Sequence, residues 1–503
     1  MIRQINRAHV VRTIFIIGLV VLGLAAAGPV PVWATDAVVG NGTPASCTEA
    51  EFDSALAVVQ ASGDGELSFN CGGPATIIFT SQKVIDTQLM TINGGGVITL
   101  SGANSTRLFH VVAGAFELRN ITLTNGFSGD GYGGAVLAEQ GSSVYVINST
   151  IQNSRTNANF AGGAILSFAT QTTIPTVSIE NSTIQGNESN YGAINTVGKL
   201  VVTGSLIQGN IGPSGSTLGG GLTVGGPTTI TDTEFRNNEA SDGAAFYATA
   251  TAVVEMTGGL ITANDASGYG GGINNQGLLT LTYVTIANNT AYAGGGISNV
   301  GSAHLNRVTM EGNFAADKGG AILNDYGSDM AVLNSTITGN DAYATGGSVG
   351  AGLAANRGML IFQNATLWNN APDPDAVSIY NYTGEYLTFG ETIMGGDLGY
   401  QCSGERPTAS NFSLFEDTSC DWQSGSGNIV QPNLTIGSLR DNGGPTWTMM
   451  PPPDSPAVDA GQCNLPEDQR GVPRPQGLAC DIGSVERQLH EASFFIYLPI
   501  TIN

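Results

Sequence analysis

Basic side chains are scarce in this sequence. Its 503 residues include 17 Lys and Arg against 40 Asp and Glu, and the formal net charge is −23. A nucleic-acid-binding surface needs clustered Lys and Arg to contact the phosphates, so the charge balance argues against a nucleic-acid partner. The acidic excess instead predicts a solvated surface that resists association, and we expect a monomer.

Long apolar runs are also missing, except for one near the N-terminus. This run spans Ile14–Ala27, follows three Arg residues and precedes a "VWA" sequence that ends at Ala34. The order is typical of a secretory signal peptide, and the run is short for a membrane anchor. We predict a signal peptide at residues 1–34, no transmembrane span in the mature chain, and a secreted or cell-surface bacterial protein. An uncleaved anchor helix is the alternative.

Cysteine is limited to six residues, all outside the repeats described below. An even number of Cys in an exported chain predicts disulfides. Because pairing within a segment closes the shortest loops, we favour the pairs Cys47–Cys71, Cys402–Cys420 and Cys463–Cys480, while other pairings stay open. None of the spacings matches a zinc motif such as C-x-x-C. We predict no cofactor, with weak calcium binding by acidic side chains as an alternative.

Glycine, in contrast, is abundant at 71 residues and recurs in short phrases such as "GGGI" and "GGAI". The phrases end, at intervals of 24–31 residues, in Val136, Ile165, Ile194, Leu222, Phe246, Ile273, Ile297, Ile322 and Leu353. A second phrase places an apolar residue three positions before Asn187, Asn210, Asn238, Asn264, Asn289, Asn313, Asn340 and Asn370. A fixed period of this length indicates a repeat architecture.

Between the phrases, apolar and polar residues alternate as they do in half-buried strands. The segment "LLTLTYVTI" is an example, and we predict inward side chains at Ile273, Leu279, Leu281, Val284, Ile286 and Ile297. One repeat cannot bury its apolar face alone, whereas stacked repeats can. The sequence therefore predicts an all-β, right-handed parallel β-helix over residues 66–400, with ten or eleven coils about 50 Å long.

The recurrent polar residues have structural explanations in such a solenoid. Glycine permits sharp turns, and one Asn per coil forms a ladder of amide hydrogen bonds. Residues 35–65 are predicted to cap the first coil with a short helix. Its signals are a capping box at Thr48 and Glu51, a stop at Gly63, and an apolar stripe at Phe52, Leu56 and Val59.

The phrase Gly-Gly-Ala-Ile, paired with Phe235-Arg-Asn-Asn238, resembles the GGAI/FxxN repeats of polymorphic outer-membrane proteins. It is also similar to the wider pectate-lyase-like superfamily of right-handed β-helices. The resemblance implies the fold and says little about function. Those outer-membrane proteins continue into a long transporter barrel, and we do not carry that barrel over to this chain.

The C-terminal segment resembles the choice-of-anchor Q domain of bacterial surface proteins, and we assign that domain to residues 401–486, followed by a tail at 487–503. The matching motifs are Asn442-Gly-Gly-Pro-Thr446, Ser455-Pro-Ala-Val-Asp-Ala-Gly461, Asp468-Gln-Arg-Gly471, Arg474-Pro475, Asp481-Ile-Gly483 and Glu486. Ser484-Val485 departs from the usual small-then-aromatic pair. The resemblance implies attachment to the cell by varied C-terminal signals. We expect its charged residues, Asp459, Asp468, Arg470, Arg474 and Asp481, to form ion pairs that hold a compact cap.

Polysaccharide-cleaving activity would require an acid/base constellation that the sequence does not offer. β-Helix hydrolases show "DD" and "HG" motifs on neighbouring coils, and neither occurs here. Hydrolysis needs paired carboxylates, and uronan lyases need a base, usually Arg or Lys, and often calcium held by clustered carboxylates. We therefore assign no catalytic residue and predict a non-catalytic adhesin or matrix component that contacts polysaccharide or other surfaces. A polysaccharide lyase or glycoside hydrolase with an unrecognised site is the alternative.

Aromatic residues precede several glycine phrases and supply the candidate ligand-binding side chains. These are Tyr132, Tyr191, Tyr269 and Tyr292. On successive coils they would form an aromatic edge on which sugar rings can pack. The alternative is that these rings only pack the loops that carry them.

Overall fold

The computed structural model describes residues 34–488 apart from 130, 140, 158, 169–173, 214, 344–349 and 421–426. The predicted signal peptide lies outside the described residues except for Ala34. The predicted C-terminal tail does so after Gln488. Among the described residues, no helix is both long and apolar enough to span a lipid bilayer.

Three stacks of parallel strands wind into an all-β solenoid of about 14 turns. The predicted fold is therefore confirmed, and the predicted ten or eleven coils are too few. Strands before Val136 and after Asn370 continue the parallel pairing without one or both recurring phrases, which explains the undercount. Pairing extends as far as Ile429–Val430.

The first stack follows the glycine phrases. Its strands are Val136–Ala138, Ile165–Ser167, Ile194–Thr196, Leu222–Val224, Phe246–Ala248, Ile273–Asn275, Ile297–Asn299, Ile322–Asn324, Ala351–Asn356, Val377–Asn381 and Tyr400–Gly404. The second stack consists of Ala37–Val39, Asp64–Phe69, Ser143–Ile147, Thr176–Glu180, Lys199–Thr203, Pro227–Thr231, Val253–Thr257, Leu278–Thr282, Ser302–Asn306, Asp329–Leu333, Met359–Gln363, Tyr386–Gly390 and Ala409–Asn411.

The third stack precedes the recurrent Asn residues. Its strands are Ala75–Ile78, Thr150–Gln152, Thr183–Gln185, Leu206–Gln208, Glu234–Arg236, Leu260–Thr262, Thr285–Ala287, Thr309–Glu311, Thr336–Thr338, Thr366–Trp368, Ile393–Gly395, Leu414–Phe415 and Ile429–Val430. Two long strands, Lys83–Ser101 and Phe109–Thr124, bend through more than one stack. Smaller parallel sheets contain Glu239–Ala240, Asp265–Tyr269, Thr290–Ala293, Phe314–Lys318 and Asp341–Ala342, and the pair Phe127–Ser128 with Arg155–Thr156.

Equivalent residues of successive turns pair in register, as Ile273 does with Ile297 and Leu281 with Leu305. All six side chains predicted to point inward are completely buried. Thr280 and Thr285 are partly exposed between them. The alternation seen in the sequence therefore sets the inside and outside of each strand. Gly270 illustrates the turn requirement, because its φ is 70° and a Cβ there would lie 2.2 Å from the Ile273 carbonyl oxygen.

The predicted asparagine ladder is present and buried. From Asn187 to Asn370, each Nδ2 donates a hydrogen bond of 2.9–3.0 Å to the Oδ1 of the Asn in the next turn. Asp397 ends this ladder, since its Oδ1 accepts from the backbone N of Asn370. A second, unpredicted ladder joins Asn275, Asn299, Asn324, Asn356 and Asn381 by Nδ2–Oδ1 hydrogen bonds of 2.7–2.9 Å.

A helix covers the first turns, as predicted. After a 3₁₀ turn at Pro44–Ser46, the α-helix spans Glu49–Ser62. The backbone N of Glu51 donates to Thr48 Oγ1 at 3.3 Å, and Gly63 ends the helix with a φ of 81°. Its buried face consists of Phe52, Ala55, Leu56 and Val59. The cap is tied to the solenoid by the Cys47–Cys71 disulfide.

The C-terminal region has little regular structure and packs along the side of the third stack. Ala457 and Ile482 share an apolar cluster with Ile393 and Leu414 of the solenoid. The disulfides Cys402–Cys420 and Cys463–Cys480 are formed as predicted. The contacts described here therefore hold this region against a lateral face of the solenoid.

Charged residues inside the C-terminal region form buried ion pairs: Asp468–Arg470 lies within the expected set, whereas Arg474 pairs with Glu486, which was not among the residues expected to pair. Arg470 Nη2 lies 2.9 Å from Asp468 Oδ2, and Arg474 Nη1 lies 3.1 Å from Glu486 Oε2. Burial lowers the pKa of Arg474 and raises that of Glu486. Asp481 Oδ1 accepts from the backbone N of Asp459. Polar groups thus organise a segment that has almost no strands.

Candidate functional site

The outward face of the third stack is covered at its C-terminal end and open at its N-terminal end. Thr309, Thr336 and Thr366 are buried beneath the C-terminal region. Thr336 Oγ1 donates to Gln469 Oε1 at 2.7 Å, and the backbone N of Ser484 donates to Thr366 Oγ1 at 3.0 Å. The corresponding side chains of earlier turns are partly exposed, and they are Thr150, Thr183, Leu206, Glu234, Leu260 and Thr285.

Part of this open face is organised by a ladder of long polar side chains. Gln185 Nε2 donates to Gln152 Oε1 at 2.8 Å, and Gln208 Nε2 donates to Gln185 Oε1 at 2.7 Å. Arg236 Nε then donates to Gln208 Oε1 at 2.8 Å. Hydrogen bonds along the ladder restrict the rotamers, so the face presents amides in fixed positions. We call the partly exposed third-stack surface from Thr150 to Thr285 the open face.

A groove lies where the open face meets the C-terminal region. It encloses about 440 Å³ and is lined on the solenoid side by Leu260, Thr262, Thr285 and Glu311, among others. Trp447 forms the opposite wall with Pro445. We call this cavity the Trp447 groove. It combines a large aromatic surface with hydroxyl groups and one carboxylate.

The backbone of Trp447 is anchored to the solenoid, while its side chain faces solvent. Thr309 Oγ1 donates to the Trp447 carbonyl oxygen at 2.6 Å, and Gln469 Nε2 donates to the same oxygen at 3.2 Å. Next to it, Thr446 Oγ1 donates to the Arg307 carbonyl oxygen at 3.0 Å. The Trp447 residue nevertheless keeps 54% of its surface exposed. The backbone of Trp447 is thus held in place, while much of the residue stays accessible to solvent.

The Trp447 groove offers both apolar and polar groups to a ligand. An exposed indole and Leu260 offer apolar area, and Thr262 and Thr285 offer hydroxyl groups. Glu311 supplies the one carboxylate in its lining, whereas glycoside hydrolysis needs two. Among the described residues, no group of three or more His, Cys, Asp or Glu is placed to hold a metal ion.

One carboxyl elsewhere in the solenoid has an unusual pKa. Burial raises the pKa of Asp397 to about 7, although hydrogen bonds from the backbone N of Asn370 and of Ala371 lower it. The charge of Asp417 raises it further. Its position at the end of the asparagine ladder gives this carboxyl a structural role.

Of the four tyrosines predicted to form an aromatic edge, three are exposed and one is partly buried. Tyr132 is 38% exposed, and Tyr269 and Tyr292 are 43% and 45% exposed. Tyr191 is partly buried against Leu137 and Leu166. Tyr269 pairs with Ala293, so it lies one residue out of register with Tyr292.

Two non-aromatic residues, Leu218 and Asp242, lie between Tyr191 and Tyr269 along this edge. Ala161 pairs with Tyr191, and two turns later Leu218 pairs with Asp242. The backbone N of Tyr269 donates to Asp242 Oδ1 at 2.7 Å. The edge therefore carries polar and aliphatic residues between Tyr191 and Tyr269, and ligand binding by the four tyrosines stays a prediction.

Trp447 was not among the candidate residues predicted from the sequence. This residue directly follows the Asn442-Gly-Gly-Pro-Thr446 motif. An aromatic residue beside that motif was the sequence feature that could have indicated a binding residue. Its exposure depends on where the C-terminal region docks, which no local pattern reports. No family model matches the chain, and no curated protein matches it. The families inferred from its motifs therefore stay predictions.

Proposed function

We propose that this protein is a non-catalytic, secreted or cell-surface β-solenoid that binds polysaccharide as an adhesin or matrix component. The Trp447 groove at the end of the open face carries this proposal. The apolar faces of sugar rings pack on an indole, and sugar hydroxyls bond to Thr, Gln and Glu side chains. An extended glycan chain also matches an extended, regularly spaced surface better than a compact ligand does.

Several features support an extracellular role. Three disulfides suit an oxidising compartment. The C-terminal motifs resemble the choice-of-anchor Q domain, and the repeats resemble those of polymorphic outer-membrane proteins within the pectate-lyase-like superfamily. Both resemblances are typical of proteins displayed on bacterial surfaces.

A polysaccharide lyase or glycoside hydrolase is the second candidate. Its support is limited to Asp397, a carboxyl that ends the asparagine ladder and whose pKa burial raises to about 7, because carboxyls of perturbed pKa are candidates for general acids. Release of reducing sugar or unsaturated uronate by the wild-type protein, abolished by Asp397→Asn, would favour this candidate. The absence of release by the wild-type protein from any glycan that it binds would exclude it.

The binding proposal is tested by a glycan array followed by titration with each glycan that is bound. We expect Trp447→Ala to weaken binding by about 1–3 kcal/mol, which is typical of losing an exposed aromatic anchor. Tyr386→Ala is the matched control, because Tyr386 is an equally exposed aromatic residue on the second stack. Equal affinities of the wild-type protein and Trp447→Ala for every glycan would refute the groove as the site.

A further inference from the structure

A separate cavity lies near the N-terminal end of the repeats. It encloses about 420 Å³ and is lined by Val112, Tyr132, Leu137, Glu139 and Phe168. We call it the Tyr132 pocket. It shares no lining residue with the Trp447 groove, so a ligand could bind here independently of the proposed polysaccharide site.

Aromatic rings at right angles form one side of the Tyr132 pocket. The rings of Tyr132 and Phe168 have centroids 5.4 Å apart and an interplanar angle of 89°. Phe160 contacts Tyr132 in the same way, at 5.3 Å and 90°. Arg107 fixes the backbone, because its Nη2 donates to the Tyr132 carbonyl oxygen at 2.7 Å. Tyr132 and Phe168 thus line the cavity as two aromatic rings held at right angles to each other.

A carboxylate is fixed beside these rings. Glu139 follows the strand Val136–Ala138, and its Oε1 lies 2.7 Å from His110 Nε2. The backbone N of Glu139 donates to the Val111 carbonyl oxygen at 2.8 Å. About half of the Glu139 side chain is exposed, so the contact with His110 positions the carboxylate without burying it.

We propose that the Tyr132 pocket binds an organic cation, specifically an alkylated ammonium group. Such a cation is attracted by the faces of aromatic rings and by a carboxylate, while its alkyl substituents pack against Val112 and Leu137. An anion would be repelled by Glu139, and a neutral apolar ligand would gain nothing from it. A metal ion such as calcium would need six or more oxygen ligands, whereas the lining is mostly apolar.

The test compares a cation with its neutral isostere. Choline and 3,3-dimethyl-1-butanol have the same shape apart from the charged nitrogen, and each is titrated into the full chain by calorimetry or saturation-transfer NMR. We expect choline to bind about tenfold more tightly, because a desolvated cation–π contact is worth on the order of one decade of affinity. Equal binding of the two probes, or no binding of choline, would overturn the proposal.

Two variants assign the binding to this pocket. Glu139→Gln keeps the shape of the side chain and removes its charge, and Tyr132→Leu keeps apolar bulk and removes the ring. Each should weaken choline binding about tenfold and leave the weak binding of the neutral isostere unchanged. Tyr269→Leu is the control, because Tyr269 is equally exposed and lies outside the pocket. Unchanged choline affinity in folded Glu139→Gln would overturn the proposal even if Tyr132→Leu failed to fold.

Discussion

Replacing Asn289 with Ala should lower the free energy of unfolding by about 4–6 kcal/mol. Asn289 Nδ2 donates to the Ile261 carbonyl oxygen and to Asn313 Oδ1, both at 2.9 Å. Its Oδ1 accepts from the backbone N and from Nδ2 of Asn264, at 3.1 and 2.9 Å. Alanine removes all four bonds. The substitution leaves the backbone N–H of Asn264 buried without its acceptor, which costs about 1–3 kcal/mol, and each further lost bond costs about 1 kcal/mol.

Asn288 provides a control in the adjacent position. It is exposed with a φ of 55°, and Gly312 occupies the equivalent place one turn later with a φ of 61°. Asn288→Gly should therefore change stability by less than about 0.5 kcal/mol. The two substituted positions are adjacent in sequence, but Asn289 belongs to the buried asparagine ladder and Asn288 does not.

The assay is urea unfolding followed by circular dichroism, with hydrogen exchange of peptides that cover residues 260–290. We expect a lower midpoint for Asn289→Ala and faster exchange around Asn264, because destabilised repeats weaken their neighbours first. Midpoints that agree for Asn289→Ala and Asn288→Gly would refute the stabilising role of the ladder.

Three further predictions follow from buried or exposed side chains. Ile286→Asp places a charge in a dry interior and should cost several kcal/mol, unfolding several coils together; an unchanged melting curve would show that Ile286 is not in the core. If the aromatic edge contacts glycans, replacing both Tyr269 and Tyr292 with Ala should weaken binding by about 1–3 kcal/mol, and full affinity in the folded double variant would exclude that edge. Because the pKa of Asp397 is raised to about 7 in the folded chain, its stabilising contribution is complete below pH 3.8 and is lost as the pH rises through 7. Asp397→Asn should therefore raise the melting temperature relative to the wild-type protein most at pH 8, less at pH 5 and hardly at all at pH 3, and parallel pH profiles would contradict the shifted pKa.

Local periodicity explains why much of the solenoid is predictable from sequence. Every coil has to turn the chain and bury apolar residues in the same way. The environments of Ile286 and Asn289 can therefore be predicted from the equivalent residues one period away. The second asparagine ladder was missed because its members, such as Asn275 and Asn356, follow the glycine phrases at a position where other coils carry different residues. A pattern shared by only part of the repeats gives a weaker signal.

Contacts between distant segments have no such period. Gln469 is an ordinary polar residue in sequence, yet it is buried against Thr309 and Thr336 of the solenoid. The exposure of Trp447 and the depth of its groove depend on that docking. The candidate site could therefore not be predicted from the repeats, although the ion pairs within the C-terminal region could be expected from their motif.

The lateral docking of the C-terminal region also has a mechanical consequence. This region bonds to Thr309, Thr336 and Thr366 and to Glu391, which belong to successive turns. A tensile force applied near the C-terminus would load these bonds together in shear, whereas a solenoid without this region could be peeled from its last turn one coil at a time. The laterally docked C-terminal region thus distributes force over several turns of the solenoid.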